Sequence, residues 1–181
     1  MRYFLLLISA MVFVYIGCGE KKVKPIVNPN LNEGEIPAQE SWDSKVIFSD
    51  SGKTTAILYA GHLRMFAETK ETLLDSGVRV DFYNPQEIKT TTLTSKSGRV
   101  DDATKNLYAI DSVVAVSDSG VTIKTDELMW RNKDAKIVSD KFVTILTAKE
   151  KIQGYGFESN QSLTNYVIYN ITYTARADSL R

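Results

Sequence analysis

The chain has 181 residues, of which 43% are hydrophobic and 24% are charged, and this balance predicts one globular domain once a targeting segment is set aside. Its 22 basic and 22 acidic residues give a formal net charge of zero, which argues against a nucleic-acid partner because such proteins usually carry a clear basic excess. Cys18 is the only cysteine and His62 is the only histidine. The sequence therefore excludes an intrachain disulfide, and it predicts neither a metal site nor a cofactor.

The N-terminus has the layout of a secretory signal peptide. Arg2 precedes an apolar run over residues 3–17, and this run is shorter than the roughly 20 apolar residues that a transmembrane helix needs. The tetrapeptide Tyr15-Ile16-Gly17-Cys18 resembles the lipobox of bacterial lipoproteins, in which the cysteine is lipidated and becomes the new N-terminus. The resemblance implies a signal peptide over residues 1–17 and a membrane anchor on Cys18. The alternative is a short uncleaved anchor with an incidental cysteine, and both alternatives place the rest of the chain outside the cytoplasm.

An extended linker is predicted over residues 18–41, which begin with the lipidated cysteine. Three of the four prolines lie there, at Pro25, Pro29 and Pro37, and few apolar side chains accompany them. Such a segment cannot bury enough apolar surface to fold by itself. The pattern changes at Trp42, so we expect the folded domain over residues 42–175 and a short tail over 176–181.

Short strands follow one another through this domain. Residues 78–82 and 121–125 alternate apolar and polar side chains with a period of two, as half-buried strands do. Residues 60–72 are also predicted to be a strand. Further runs rich in Val, Ile, Thr, Tyr and Phe lie at 107–116, 141–147 and 166–173. Asp, Asn, Ser and Gly separate the runs at spacings of about 8–14 residues, which is typical of an all-β sandwich, barrel or jelly roll.

An internal repeat accompanies these strands. Ser-Asp-Ser-Gly occurs at residues 49–52 and again at 117–120, each time between two β-rich runs, and it predicts two hairpin turns. A shorter copy at residues 75–77 predicts a third turn. The run 111–116 is weakly similar to the run at 140–145, which lies 29 residues later. Such self-similarity indicates stacked β-units, and the ends of such a stack can accept further strands.

The C-terminal half contains the run Gly154-Tyr155-Gly156-Phe157-Glu158-Ser159-Asn160, followed by Leu163, Tyr166 and Ile168. This run resembles the C-terminal signature of LptC-type proteins of lipopolysaccharide export. The middle segment, with Gly98-Arg99-Val100-Asp101, is similar to the same family. The opening block Phe48-Ser49-Asp50-Ser51-Gly52, followed by Ala60-Gly61-His62, is similar to its lipoprotein-anchored members. The resemblance covers about residues 42–173.

The resemblance implies an all-β fold, an open twisted jelly roll of stacked antiparallel strands. In that family the apolar interior carries lipopolysaccharide from an inner-membrane ABC transporter to a periplasmic jelly-roll bridge protein, without catalysis. The protein would lie at the periplasmic face of the envelope, held to the inner membrane. The alternative is a structural envelope lipoprotein, an interaction module with a closed β core. We expect nine side chains to line the lipid-binding interior: Val80, Phe82, Tyr108, Ile110, Ile123, Trp130, Val143, Phe157 and Ile168.

An enzyme is not predicted. A serine nucleophile needs a base beside it, and His62 is the only candidate. The chain also lacks the G-x-S-x-G elbow of serine hydrolases.

Partner docking is predicted at the C-terminal edge. Glycine inside a strand marks a bulge or a close backbone approach, so Gly154 and Gly156 indicate either such a feature or an edge shaped to dock another jelly roll. Only eight residues, 174–181, follow the run at 166–173, so we expect this strand at an exposed edge, open to β-augmentation. Proline at Asn170 should then remove a backbone donor and weaken docking.

Overall fold

The computed structural model describes residues 36–176, so the predicted signal peptide, Cys18 and most of the linker lie outside the described residues. Within this range the chain forms no α-helix, and no helix there is long and apolar enough to cross a membrane. The all-β prediction is therefore confirmed. The strands are β1 (Gln39–Asp50), β2 (Lys53–Phe66), β3 (Glu71–Tyr83), β4 (Lys89–Ser95), β5 (Ser97–Asp101), β6 (Leu107–Ser117), β7 (Thr122–Arg131), β8 (Lys136–Leu146), β9 (Glu150–Asn160) and β10 (Tyr166–Arg176).

These strands form one antiparallel sheet that folds over on itself. The order is β1-β2-β3-β4-β6-β7-β8-β9-β10, and β5 pairs with β3 and β6. The ring of Phe48 in β1 meets Trp130 in β7 edge-on, with centroids 5.3 Å apart, although four strands separate them in the sheet order. In the described chain β1 and β10 each pair with one neighbour only. The jelly roll is therefore open at two edges, as predicted.

The core lies between the two layers of the folded sheet. Strand alternation sends every second side chain inward, so Ala56 and Leu58 of β2 are buried and so are Val78, Val80 and Phe82 of β3. Burying one large apolar side chain contributes about 1.5–3 kcal/mol. The folded sheet is thus held by side chains contributed from nearly every strand.

Two of the predicted hairpins are present and the third is wrong. Ser51 and Gly52 connect β1 to β2 with φ of 50° and 79°, the left-handed pair of a type I′ turn. Gly120, with φ of 84°, closes the β6–β7 turn in the second copy of the repeat. The third copy lies inside β3, where Ser76 and Gly77 also have positive φ but the strand continues. A bulge uses the same left-handed residues as a turn, and here it marks the point where β3 changes its partner from β5 to β4.

Similar bulges and breaks in pairing occur at the same height in several neighbouring strands of the sheet. The amide of Gly77 bonds to the carbonyl of Lys96, whose own amide bonds to the carbonyl of Asp111. The pairing of β6 with β7 shifts register next to Asp111, and that of β8 with β9 shifts around Asp140. The weak similarity between residues 111–116 and 140–145 therefore reflects two bulges at corresponding positions of β6 and β8. Bulges bend strands, which is how a sheet of long strands can fold over.

The limits of the domain differ slightly from the sequence-based boundaries. β1 begins at Gln39, so it includes the last residues of the predicted linker. β10 ends at Arg176, one residue beyond the predicted end of the domain.

Candidate functional site

The interior side chains predicted from the sequence are mostly core. Seven of the nine face inward. Ile168 is partly buried and packs against the core. The other six are at most 1% exposed: Val80, Phe82, Ile123, Trp130, Val143 and Phe157.

Tyr108 and Ile110 do not belong to this interior, and their prediction as lining residues is wrong. They alternate along β6 with Leu107 and Ala109, which are fully buried. Because neighbouring side chains in a strand point to opposite faces, Tyr108 and Ile110 lie on the outer face. There the guanidinium of Arg99 sits 4.0 Å from the ring centroid of Tyr108, a cation–π contact.

Aromatic rings fill the centre of the interior. Trp130 contacts Phe82 at 5.6 Å and Phe48 at 5.3 Å between ring centroids. The indole nitrogen of Trp130 is buried and has no hydrogen-bond partner. In this conformation the centre is packed, so an accessible apolar surface has to be found nearer an edge.

Such a surface exists beside β1. A pocket of about 420 Å³ has a floor of side chains from β1, β2 and β5 and is closed on one side by β1 itself. Its apolar lining is Val46, Ile47, Phe48, Leu58, Leu63, Met65 and Val100. None of these seven was predicted as a lining residue. The runs 46–48 and 56–58 are visible in the sequence as apolar strands, but nothing local shows that they flank an opening.

The rim of this pocket is polar. Asp102, Lys105 and Asn132 stand at its mouth, and Lys105 Nζ lies 3.8 Å from Asp102 Oδ1. The buried hydroxyl of Thr72 donates to the same carboxylate at 3.0 Å. An apolar floor with a charged rim can hold a molecule that has an alkyl part and a polar head. Among residues 36–176 no cluster of three or more His, Cys, Asp or Glu is placed to hold a metal.

β1, which forms one side of the pocket, is an edge strand. It pairs only with β2, and none of its twelve residues is fully buried. Val46 and Phe48 are half-buried and pack against the core, while Trp42 and Ile47 are exposed. The strand therefore covers the pocket without burying any of its own side chains fully.

The opposite end of the sheet is β10, as predicted for the run at 166–173. Within the described chain this strand pairs only with β9. Four of its large apolar side chains are exposed: Val167, Tyr169, Ile171 and Tyr173. An edge strand with unpaired backbone groups and exposed apolar side chains can accept another strand.

Gly154 and Gly156 accommodate β10 of the same chain. A β-carbon on Gly154 would lie 2.3 Å from the carbonyl oxygen of Asn170. Gly156 has φ of 75°, and the ring of Tyr169 lies over it. The close backbone approach expected of these glycines is present here, and their part in partner docking stays a prediction. Asn170 is exposed on the edge strand, and its part in docking stays a prediction.

An ion-pair cluster fixes the β7–β8 turn to β9. Arg131 donates to both carboxylate oxygens of Asp134, at 2.8 and 2.7 Å, and it also reaches Glu158. The ammonium group of Lys136 donates to Glu158, and this hydrogen bond lowers the pKa of Glu158 below its ordinary value. The guanidinium of Arg131 likewise lowers the pKa of Asp134. The cluster holds both acids in their charged form.

Together these features define an open antiparallel jelly roll with an apolar interior, a pocket beside one bare edge strand and a second bare edge at the other end. A family model described as "Lipopolysaccharide-assembly, LptC-related" matches residues 4–175. The match spans nearly the whole chain, so the protein belongs to the LptC-related family and has a role in lipopolysaccharide transport. That family is a non-catalytic transport component of the periplasm and inner membrane. No curated protein matches the chain.

Proposed function

We propose that the protein is a carrier that receives lipopolysaccharide from an inner-membrane ABC transporter and passes it to a periplasmic jelly-roll bridge protein. The observation that supports this best is the apolar pocket of about 420 Å³ beside β1. The pocket and the second bare edge, β10, lie at opposite ends of the strand order. This separation supports a path on which the ligand is loaded at one end and delivered at the other.

The pocket suits the acyl part of such a ligand. Each methylene removed from water contributes about 0.8 kcal/mol, so a few methylenes against Leu58, Leu63 and Met65 give useful affinity without any directional contact. The phosphorylated sugar head would remain at the polar rim, where Lys105 can pair with a phosphate. The remaining interior would have to open to carry more of the ligand.

We assign the delivery of lipopolysaccharide to the bridge protein to strand β10. A partner jelly roll would extend the sheet by pairing its own edge with β10, since backbone hydrogen bonds give affinity and the side-chain rows set register. The exposed Val167, Tyr169 and Ile171 would then lie beside a row of partner side chains on the same face of the sheet. This arrangement would join two apolar interiors into one continuous slab.

A lipidated Cys18 would hold the domain to the membrane. The lipobox-like sequence before it and the proline-containing linker after it support this assignment. About 20 extended residues reach roughly 65 Å, so the domain could stand clear of the bilayer.

The pocket is tested by filling it. Val46→Trp places an indole ring at a half-buried pocket position of an edge strand that can adjust, and Ile88→Trp places the same ring at an exposed loop position. If the added ring excludes about two methylenes, affinity falls by about 1.6 kcal/mol, or more than tenfold. The amount of lipopolysaccharide that copurifies with each full-length variant from cells is the measurement. Equal retention by Val46→Trp and Ile88→Trp would remove the pocket from the proposal.

A second candidate is favoured by one observation, the complete burial of Trp130, Phe82 and Phe157. A closed core of this kind fits a module that contributes to lipopolysaccharide transport by contacts with partners and carries no lipid itself. It predicts normal partner binding and no ligand in the pocket, which the same copurification experiment distinguishes.

A further inference from the structure

The only histidine of the chain lies between two carboxylates from different strands. His62 is in β2, and its Nε2 lies 2.8 Å from Oε1 of Glu40 in β1. Its Nδ1 lies 3.0 Å from Oδ1 of Asp75 in β3. The indole of Trp42 stacks on the ring at 5.2 Å with an interplanar angle of 16°. One side chain therefore links the edge strand β1 to the two strands behind it.

This geometry can be satisfied by only one protonation state of the ring. A neutral imidazole has one donor nitrogen and one acceptor nitrogen, whereas a carboxylate only accepts. With His62 neutral, one of the two carboxylates would face a lone pair. Both hydrogen bonds form only when His62 is an imidazolium cation.

The two hydrogen bonds are not equally replaceable. Asp75 has other partners, because Arg64 Nη2 donates to it at 3.0 Å and Ser76 Oγ donates at 3.0 Å. Glu40 is on the exposed edge strand, opposite Arg64 in the register. A neutral ring can keep only one of its two hydrogen bonds, so loss of the ring proton weakens the side-chain link that joins β1 through His62 to β3.

A left-handed residue follows the first four residues of β1, and the pairing with β2 keeps its register on both sides of it. Asp43 has φ of 49°, the left-handed region that non-glycine residues rarely adopt, and it stands between the pairs Trp42–His62 and Ser44–Ala60. Before this point, Gln39 and Glu40 are exposed and Trp42 is 65% exposed. The segment 39–42 thus buries no apolar side chain, and the His62 contacts are its principal side-chain attachment to the sheet.

We propose that residues 39–42 form a hinged strap that the imidazolium of His62 fastens to the sheet and that is released when the ring loses its proton. The charged groups that face the ring are Glu40 from β1 and Asp75 from β3, with Arg64 on its own strand paired to Asp75. Release of the strap would loosen the strand that covers the pocket. This last consequence rests on the proposed function, whereas the strap itself does not.

The electrostatics agree with this geometry. The hydrogen bond with Glu40 raises the pKa of His62 above its ordinary value. Partial burial of the ring acts in the opposite direction, and Asp75 raises the pKa further. Because the folded-state pKa is the higher one, the stabilisation is complete below the unfolded value of about 6.5 and is lost as pH rises through the folded value. The strap is therefore fastened in mildly acidic conditions and loosened in alkaline ones.

Hydrogen exchange of the full-length protein in detergent, followed by mass spectrometry, tests the proposal. Uptake over residues 38–44 is compared at pH 5.5 and pH 8.5 after correction for the intrinsic exchange rate at each pH, with β7 as the internal reference. Since an exposed ion pair is worth a few-fold in an equilibrium, opening of the strap should increase about two- to fivefold at the higher pH. Opening of β7 should be unchanged.

Two variants separate the strap from a general effect of pH. Glu40→Gln removes the exposed carboxylate on an edge strand, and His62→Gln removes the titrating ring. Both should show the same opening at the two pH values. Corrected uptake that is equal at both pH values in the unmodified protein would overturn the proposal, and so would a pH dependence that persists in both variants. Either result leaves the pocket experiment with Val46→Trp unaffected.

Discussion

Gly154 is the position where a single methyl group should disturb the C-terminal edge most. It is buried in β9 between β8 and β10, and a β-carbon there would lie 2.3 Å from the carbonyl oxygen of Asn170 and 2.9 Å from Cγ2 of Ile168. The first of these atoms belongs to the backbone and cannot rotate away. Gly154→Ala therefore requires β10 to move by about 1 Å, because ordinary contacts of a β-carbon begin near 3.4 Å.

The expected cost follows from that displacement. Overpacking a tight site costs about 1–3 kcal/mol, and weakening the two neighbouring pairs, Gly154–Ile171 and Tyr155–Asn170, removes hydrogen bonds worth about 1 kcal/mol each. We expect the free energy of unfolding to fall by about 2–4 kcal/mol.

The assay is urea unfolding of the full-length protein together with hydrogen exchange of β10. Gly52→Ala is the matched control, since Gly52 has φ of 79° and nothing within 4 Å of its added β-carbon. This control should show only the strain of a left-handed alanine, about 1–2 kcal/mol, and normal protection of β10. A cost of Gly154→Ala no larger than that of Gly52→Ala would refute the predicted clash, and so would exchange of β10 as fast as in the unmodified protein.

Three further predictions concern the edge, the anchor and the response to acid. Backbone donors of adjacent residues in a strand point in opposite directions, so one of Asn170 and Ile171 donates to β9 and the other points outward. Of Asn170→Pro and Ile171→Pro, one should therefore lower the melting temperature, and the other should abolish capture of the bridge partner while the domain stays intact. Capture that survives both changes rules out β10 as the docking edge. Cys18→Ser should leave an unprocessed precursor on a gel, and migration at the mature size would contradict the lipobox assignment. Because Lys136 lowers the pKa of Glu158, the stabilisation from that carboxylate is complete above about pH 4.3 and is lost as pH falls through the folded-state value. Glu158→Gln should therefore flatten the fall in stability between pH 5 and pH 3, and parallel curves for the two proteins would show that the ion pair does not contribute.

Local features of the fold were predictable because they depend on neighbouring residues. The left-handed Ser51-Gly52 turn follows from turn chemistry, and the strand at 166–173 follows from its run of β-branched and aromatic residues. Asp75-Ser76-Gly77 shows the limit of this reasoning, since the same residues make a turn in one place and a bulge in another.

The site was less predictable than the fold because it depends on how the sheet folds over. Tyr108 was assigned to the interior by residue type, but strand alternation with Leu107 and Ala109 places it outside. Leu63 and Met65 line the pocket only because β1 forms an open edge in front of them. That relation joins distant strands, and no window of the sequence contains it.

We propose that lipopolysaccharide enters the interior of the domain through the pocket beside β1. A photo-reactive amino acid at Met65, on the pocket wall, tests this directly in living cells. The same amino acid at Tyr108, on the outer face of β6, is the control. We predict that illumination produces a lipopolysaccharide adduct from position 65 and none from position 108. Adducts from neither position, or equal adducts from both, would contradict the account.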